Sequence, residues 1–309
     1  MKRNLSYLLI AICLYLYILT PPAHGQDSAE KIMKGVFSSF SLPLRDLMKK
    51  EHGSEWRNIF TGFSGGFAFD YPLKQTASFA SEGIGDQGSR ANTNITLSAG
   101  IKYNPLSYWY VAVTFYKYLR HDLQAPWNPD FSYVFGYDDW HPYTFSLTYA
   151  NYGGNRLFPD RANGEQRTNF KGGSISLGWK FVLPANLERL FTIHSSGGIG
   201  GNLGLNLTPE YMDLASLQVK KWKQTFSLGI KYGIYQWWYW NFTVYYYPHP
   251  EQQQPWDPDF TFGVGYFDWH PGAISIQYNN YAGNRYPWHD RKFALLENGS
   301  ITISWSWML

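Results

Sequence analysis

Two segments of this chain, 129 positions apart, repeat each other closely. Residues 126–156 read PWNPDFSYVFGYDDWHPYTFSLTYANYGGNR, and residues 255–285 read PWDPDFTFGVGYFDWHPGAISIQYNNYAGNR. Trp127 and Trp256 show the constant offset of 129, which holds to the last arginine of each segment. Because solenoid units are only about 20 to 50 residues long, a period of this length indicates a duplicated half of one fold.

The last residues of the chain alternate between apolar and polar side chains. Ile301, Ile303 and Trp305 share one parity, and Thr302 and Ser304 share the other. A period of two predicts a β-strand with one apolar and one polar face, and no helical period fits these residues. The same alternation recurs in four other runs, at 94–103, 174–181, 191–207 and 237–247.

The alternation predicts six strands in each half of the chain. In the first half they lie near 57–71, 91–104, 107–120, 130–138, 143–153 and 170–182; in the second they lie near 189–207, 222–234, 236–247, 259–267, 273–282 and 298–309. Single-chain bacterial membrane barrels have an even strand count, and closing the sheet removes both edges. We therefore predict an all-β fold, a transmembrane antiparallel β-barrel of about 12 strands built from two homologous six-stranded halves.

The composition agrees with such a barrel. Charged residues make up 16% of the chain and aromatic residues 19%, whereas about a quarter of a soluble domain is charged. The mean hydropathy of −0.36 is too low for a helical membrane protein. A two-domain β-sandwich, the soluble alternative, does not explain why Trp238 and Trp305 take the exposed parity. The net charge of +3 gives no reason to expect nucleic acid as a partner.

The final predicted strand carries Trp305 and Trp307 and ends at Leu309. An aromatic-rich last strand of this kind resembles the C-terminal assembly signal of bacterial outer-membrane barrels, and the resemblance is to that structural class. It implies a location in the outer membrane of a Gram-negative cell. It also implies outer-membrane lipids and the barrel assembly machinery as partners.

The N-terminus has the three parts of a secretory signal. Lys2 and Arg3 precede a short apolar run at 8–19, and residues 23–25 are a small-x-small cleavage site. We therefore predict a signal peptide over 1–25.

Two further regions follow the predicted signal peptide. Residues 26–55 are expected to form a helical segment, either periplasmic or interfacial at the base of the barrel or a plug inside the lumen. The barrel is predicted over 56–309, with the internal repeat at 56–182 and 188–309.

The connections between the predicted strands alternate between short and long. Short turns such as 104–106 and 139–142 fall at one end of the barrel, and long segments such as 72–90 and 284–297 fall at the other. In bacterial barrels the short turns face the periplasm and the long loops face outside. Both termini are therefore predicted to be periplasmic.

Eight tyrosines take the inward parity, four in each half. They are Tyr110, Tyr116, Tyr118, Tyr152, Tyr239, Tyr245, Tyr247 and Tyr281. A tyrosine combines a flat apolar ring with a hydroxyl group, which suits stacking on sugar rings, so we predict that they contact a saccharide. The alternative is that they only fill a small barrel or form an interfacial girdle.

Basic residues are predicted to join the tyrosines in the lumen. Lys102 and Lys231 lie near the predicted periplasmic rim, and Arg156 and Arg285 lie near the outer rim. Basic side chains that line a pore favour anions. The alternative is that these and other inward cations, such as Lys180, pair with nearby acids such as Asp70 and Asp138.

One polar pair is not repeated. His194 and Ser196 are two positions apart on a predicted strand. A His-x-Ser pair resembles the active-site motif of outer-membrane lipid A deacylases and phospholipase A, which implies that serine is acylated and histidine acts as the base. Parity directs both side chains to the lumen, whereas a lipid hydrolase presents them to lipid, so we expect no enzyme here.

The repeat also contains two Asp-Trp-His-Pro sequences, at 139–142 and 268–271. An aspartate and a histidine two apart are metal-ligand types, but aspartate capping and proline explain both segments as tight turns. We predict no metal and no cofactor.

These features together favour an outer-membrane channel or translocation protein that passes a saccharide or another small hydrophilic solute. An oligo- or polysaccharide is the expected soluble partner. The alternatives are an acyl hydrolase of lipid A or phospholipid that uses His194 and Ser196, and a closed structural or accessory barrel.

Overall fold

Antiparallel strands close into a barrel in which the first strand pairs with the last. The computed structural model describes residues 62–75, 94–106, 108–123, 128–139, 141–163, 166–191, 198–213, 218–254, 257–268, 270, 272–281, 284–289 and 296–308. Within these residues, twelve strands follow one another around the barrel in sequence order. This confirms the predicted all-β class and strand number. The predicted signal peptide at 1–25 and the segment at 26–55 lie outside the described residues.

The strands have between 7 and 18 residues and are joined as a meander. They are β1 (Phe63–Pro72), β2 (Thr96–Leu106), β3 (Trp109–Tyr118), β4 (Phe131–Asp138), β5 (Phe145–Asn151), β6 (Ser174–Val182), β7 (Ile199–Asp213), β8 (Gln218–Tyr235), β9 (Trp238–Tyr246), β10 (Phe260–Tyr266), β11 (Ile274–Asn280) and β12 (Ser300–Met308). An α-helix, α1 (Ala185–Phe191), lies between β6 and β7. Single 3₁₀ turns occupy His121–Leu123, Arg161–Asn163, Phe170–Gly172, Pro250–Gln252 and Leu296–Asn298. None of the described helices has the length and apolar character needed to span a membrane.

The barrel closes along a seam between β1 and β12, where every residue of β12 has a partner on β1. On the outer side of this seam the rings of Phe67 and Trp305 stack with their centroids 6.0 Å apart. On the inner side Thr302 Oγ1 donates a hydrogen bond to Asp70 Oδ1 at 2.7 Å. The seam therefore has one apolar face and one polar face, like the rest of the sheet.

Large apolar side chains form a band around the outside of the barrel. Trp109, Leu147, Trp238 and Ile276 are each between 48% and 50% exposed. Neighbouring residues of a strand point to opposite faces, so the small and polar residues between them line the interior. The period of two in the sequence thus separates an apolar exterior from a polar lumen.

The strand bounds keep the offset of the sequence repeat. β5 and β11 start at Phe145 and Ile274 and end at Asn151 and Asn280, a difference of 129 at both ends. The duplication of the two halves remains an interpretation of the sequence. It pairs each position of β3–β5 with a counterpart on β9–β11, which allows a direct comparison of lumen residues.

The segment between β6 and β7 differs from the prediction. The sequence predicts a tight turn followed by a strand over 189–207, whereas α1 occupies this place and β7 begins at Ile199. Pro184 precedes a run of good helix formers, Ala, Leu, Glu and Arg. The backbone N–H groups of Leu187 and Glu188 both donate to the Pro184 carbonyl at 2.9 Å, which starts the helical turn.

The hairpin of β7 and β8 also differs from the prediction. The sequence predicts a loop over 208–221, whereas the two strands stay paired up to Asp213 and Gln218. The pairing of β6 with β7 stops at Leu207, so the upper part of the hairpin stands above the barrel. An ion pair between Lys220 and Asp213 joins its two strands near the tip.

Candidate functional site

Two tyrosines of β3 are tied to β4 and to the connection that precedes it. The hydroxyl of Tyr118 donates to the Pro129 carbonyl at 3.1 Å, and the Tyr116 hydroxyl lies 2.8 Å from that of Ser132. The two tyrosine rings stack with centroids 6.5 Å apart. Both hydroxyls are therefore used within the barrel wall.

The counterparts on β9 repeat these contacts. The Tyr247 hydroxyl donates to the Pro258 carbonyl at 3.0 Å, and the Tyr245 hydroxyl lies 3.5 Å from that of Thr261. Tyr118 and Tyr247 are both buried, so a structural contact accounts for their repetition without a solute.

Tyr152 and Tyr281 present most of their surface to open space. They are 57% and 53% exposed, respectively. Tyr152 lies within electrostatic range of Tyr116, two strands away, and Tyr281 lies within range of Tyr239 and Tyr245. Both side chains therefore project into the lumen, and their rings are the most accessible aromatic faces among the eight tyrosines.

Buried asparagines flank each of these projecting tyrosines. Asn151 and Asn155 are 1% and 0% exposed, and Asn280 and Asn284 are 0% and 1% exposed. Asn155 Nδ2 donates to Asn151 Oδ1 at 3.0 Å. Between them Gly154 has a φ of +64°, a conformation that glycine adopts without strain. The repeated Asn-Tyr-x-Gly-Asn sequence thus fixes the backbone on both sides of the lumen tyrosine.

A cluster of charges lies near the short-turn end of the lumen in the first half. Lys102 Nζ lies 4.3 Å from the ring centroid of Tyr110. Lys180 Nζ donates to Asp138 Oδ1 at 2.5 Å and to the Asp139 carbonyl at 3.0 Å, and both Asp138 and Lys180 lie within electrostatic range of Lys102. The predicted alternative, in which a lumen cation pairs with Asp138, is confirmed for Lys180.

The second half has the same lysine and tyrosine without the acid. Lys231 Nζ lies 4.1 Å from the ring centroid of Tyr239, and the Tyr239 hydroxyl donates to Gln277 Oε1 at 2.7 Å. Phe267 occupies the position that corresponds to Asp138, and its ring centroid is 5.6 Å from Lys231 Nζ. The two lysine sites therefore differ in their charged neighbours.

Arg156 is part of a loop contact. Its Nη1 donates to the Asn128 carbonyl at 2.5 Å and lies 3.6 Å from Asp130 Oδ1. The same Asp130 carboxylate accepts a hydrogen bond from the Leu157 backbone N–H at 3.0 Å. Arg156 thus joins two long connections at the rim of the barrel.

Arg285 makes the corresponding contact in the second half. It donates to the carbonyls of Asp257 and, at 3.0 Å, Gln254, and it lies 3.5 Å from Asp259 Oδ1. The side chains of Arg156 and Arg285 are only 15% and 18% exposed. These contacts give both arginines a role in loop structure, and their assignment to solute contact stays a prediction.

The Asp259 carboxylate is the most enclosed acid of this loop. It accepts hydrogen bonds from Gln253 Nε2 and the Tyr286 backbone N–H, each at 2.8 Å, and lies 2.7 Å from His289 Nδ1. Burial alone raises the pKa of a carboxyl group, but these hydrogen bonds and the charge of His289 outweigh it and hold the pKa of Asp259 below its ordinary value.

The two Asp-Trp-His-Pro turns contain the same cap. Asp139 Oδ1 accepts from the His141 backbone N–H at 3.0 Å and lies 2.6 Å from its Nδ1. Asp268 and His270 repeat these contacts at 3.0 and 2.5 Å. In the described part of the chain, no three His, Cys, Asp or Glu side chains come together in a way that could hold a metal ion. The contacts support the interpretation of both segments as capped turns.

His194 and Ser196 lie in 192–197, outside the described residues. The helix α1 ends directly before this segment, at Phe191. The prediction that both side chains face the lumen assumes a strand over 189–207. Residues 189–191 belong to α1, so they do not support this strand parity. The acyl-hydrolase hypothesis stays a prediction.

Three inward carboxamides were not among the predicted site residues. Asn241, Gln277 and Asn279 all take inward positions of the second half. Their counterparts in the first half are Ala112, Thr148 and Ala150. A comparison of the two halves at inward positions would have found them, because the residue types of the two halves differ at these positions.

Comparison with known proteins adds no family to this geometry. No protein-family model matches the chain, and no curated protein matches it either. Function is therefore inferred from the lumen residues themselves.

Proposed function

We propose that this protein is an outer-membrane channel that passes a saccharide or another small hydrophilic solute. The observation that carries the proposal is the pair of lumen tyrosines, Tyr152 and Tyr281, which remain 57% and 53% exposed inside a closed barrel. Because a packed interior buries its aromatic rings, rings this exposed border space that a solute can occupy. Their apolar faces suit stacking on sugar rings.

The exterior of the barrel supports a membrane location. An antiparallel sheet without edges satisfies its backbone hydrogen bonds internally, as lipid requires. The apolar band that contains Trp109 and Trp238 is suited to contact acyl chains and the interface. We propose outer-membrane lipids as its surroundings and the barrel assembly machinery as the partner that inserts it. Membrane fractionation tests this location, and recovery in the soluble fraction contradicts it.

The channel is tested by planar-bilayer recording of the purified full-length protein. We expect stepwise conductance. Added maltotriose should reduce it by causing brief interruptions of the current. Tyr152→Ala and Tyr281→Ala should shorten these interruptions, because each removes an accessible ring from the lumen.

Tyr118→Phe is the matched control. It removes the hydroxyl that binds the Pro129 carbonyl and leaves the lumen surface unchanged, so the interruptions should keep their length. The proposal fails if neither the full-length protein nor a variant that lacks residues 27–55 conducts at any voltage, since that deletion removes the segment considered as a plug.

A further inference from the structure

A row of four inward residues crosses four neighbouring strands in the first half. Lys102 on β2 pairs with Ala112 on β3, Ala112 pairs with Val134 on β4, and Val134 pairs with Ala150 on β5. After the lysine, the row presents only apolar side chains. It offers a solute a charge but no neighbouring side-chain hydrogen bond.

The corresponding row in the second half has a different chemistry. Lys231 on β8 pairs with Asn241 on β9, Asn241 pairs with Gly263 on β10, and Gly263 pairs with Asn279 on β11. Each residue lies 129 positions after its counterpart. We call Lys231, Asn241, Gly263 and Asn279 the amide row.

Gly263 allows the two carboxamides of the row to approach each other. A Cβ at this position would lie 2.5 Å from Asn241 Oδ1 and 2.6 Å from Asn279 Oδ1, so any larger residue would displace them. Asn241 Oδ1 is buried and has no hydrogen-bond partner within the described residues. A buried amide oxygen without a partner is costly, which makes this atom an acceptor suited to a hydroxyl group of a solute.

Lys231 and Lys102 have different charged neighbours. Lys102 lies within electrostatic range of both Asp138 and Lys180, which pair with each other, whereas Phe267 takes the position of Asp138 in the second half. No carboxylate of the described residues pairs with Lys231, and its recorded contacts are the rings of Tyr239 and Phe267. A cation next to two carboxamides matches an anionic group that is attached to a hydroxylated molecule.

We infer that the amide row binds an acidic sugar, with its carboxylate at Lys231 and its hydroxyl groups at Asn241 and Asn279. Tyr281, whose ring is exposed in the lumen near Tyr239, offers a stacking face to an adjoining sugar ring. The inference rests on the proposed channel function and specifies its solute as a carboxylate-bearing saccharide. It also makes the two sides of the lumen differ in solute binding. The solute contacts the side formed by the second half of the chain.

The experiment compares two trisaccharide probes in bilayer recordings of the full-length protein, trigalacturonate and maltotriose. We expect trigalacturonate to occupy the lumen at least 10 times longer than maltotriose. Lys231→Gln should remove about 90% of this advantage, a tenfold effect that corresponds to the loss of one favourable charge contact. Lys102→Gln is the matched control and should change the occupancy time by less than twofold.

A second variant separates the carboxamides from the charge. Asn241→Ala combined with Asn279→Ala installs the residues of the first-half row and should shorten the occupancy of both probes. Lys231→Gln should affect trigalacturonate alone. Heat-dependent mobility in SDS gels confirms that each variant still forms a closed barrel.

Calorimetry on the protein refolded in detergent micelles distinguishes a failed inference from a failed channel. Binding of trigalacturonate that depends on Lys231, without conductance, refutes the channel and leaves the amide row in place. Conductance with equal occupancy times for both probes, or an equal effect of Lys231→Gln and Lys102→Gln, refutes the amide row and leaves the channel in place.

Discussion

Arg285→Met should destabilise the barrel more than Arg156→Met, although the two arginines are counterparts in the repeat. Methionine keeps the apolar stem and removes the guanidinium group. In the second half this group binds two carbonyls, those of Asp257 and Gln254, and lies near the Asp259 carboxylate. In the first half it binds the Asn128 carbonyl and lies near Asp130.

The magnitudes follow from the exposure of the partners. Charge-assisted hydrogen bonds contribute about 1.5 to 3 kcal/mol each when their partners are enclosed. The Asp259 side chain is 3% exposed and that of Asp130 is 30% exposed, so water can replace the arginine more easily at Asp130. We expect a loss of about 3 kcal/mol for Arg285→Met and about 1.5 kcal/mol for Arg156→Met.

Equilibrium unfolding in urea measures both losses. The protein is refolded in detergent micelles, and tryptophan fluorescence follows the transition of the wild type and each variant. Because the two arginines belong to different connections, the double variant should lose the sum of the two single losses. The slope of the free energy against urea concentration should not change, since the same surface is exposed on unfolding.

Two results would refute this reasoning. If Arg156→Met costs as much as Arg285→Met, the burial of the acceptors does not set the energy. If both variants lose less than about 0.5 kcal/mol, which is typical of a surface substitution, the arginines do not hold the loops.

Three further predictions concern other parts of the barrel. The pKa of Asp259 is lowered by folding, so its stabilising effect is fully present above the unfolded value of about 3.9 and is lost as the pH falls through the lower folded value. The unfolding free energies of the wild type and Asp259→Asn should therefore differ at neutral pH and converge in acid; a difference that persists in acid contradicts the assignment. A Cβ at Gly136 would contact the Leu147 carbonyl oxygen, so Gly136→Val should cost about 1 to 3 kcal/mol in urea unfolding, whereas Gly153→Ala, which meets nothing within 4 Å, should be nearly neutral. Ser196→Ala should leave the conductance unchanged, and phospholipase activity that disappears in this variant would instead favour the hydrolase.

The strands were predictable because one physical rule acts along the whole sheet. Every strand residue faces either the outer band or the lumen, so alternation recurs from β1 to β12. The lumen positions of Tyr116, Tyr245 and Lys231 follow from parity alone, since each lies within a strand.

Strand parity gives less information where the backbone leaves the sheet. Arg156 and Arg285 follow strand ends, and parity does not indicate their hydrogen bonds to loop carbonyls. Leu187, Leu190 and Phe191 have the i, i+3, i+4 spacing of a helix, and the α1 segment was missed because the alternation found at 191–207 was extended back to 189. Pro184 was the available signal for a helix start.

The contact between the amide row and its solute depends on residues that the repeat does not share. Alternation places Asn241 and Asn279 in the lumen but does not indicate that they approach each other. Their proximity depends on Gly263, whose missing side chain leaves the space between them. The proximity of Asn241 and Asn279 is evident only from the three-dimensional pairing of β9, β10 and β11.

The seam between β1 and β12 has a consequence for how the chain reaches its folded state. Asp70 and Thr302, which bond across it, are 232 positions apart, so its contacts form late and require the closure of a very long loop. Until the nine residues of β12 are in place, β1 and β11 both expose unpaired backbone groups that can recruit other chains. A chain cut before Ser300 therefore keeps two unpaired strand edges even when its other eleven strands are paired. In the full chain, aggregation competes with folding until β12 pairs with β1 and β11.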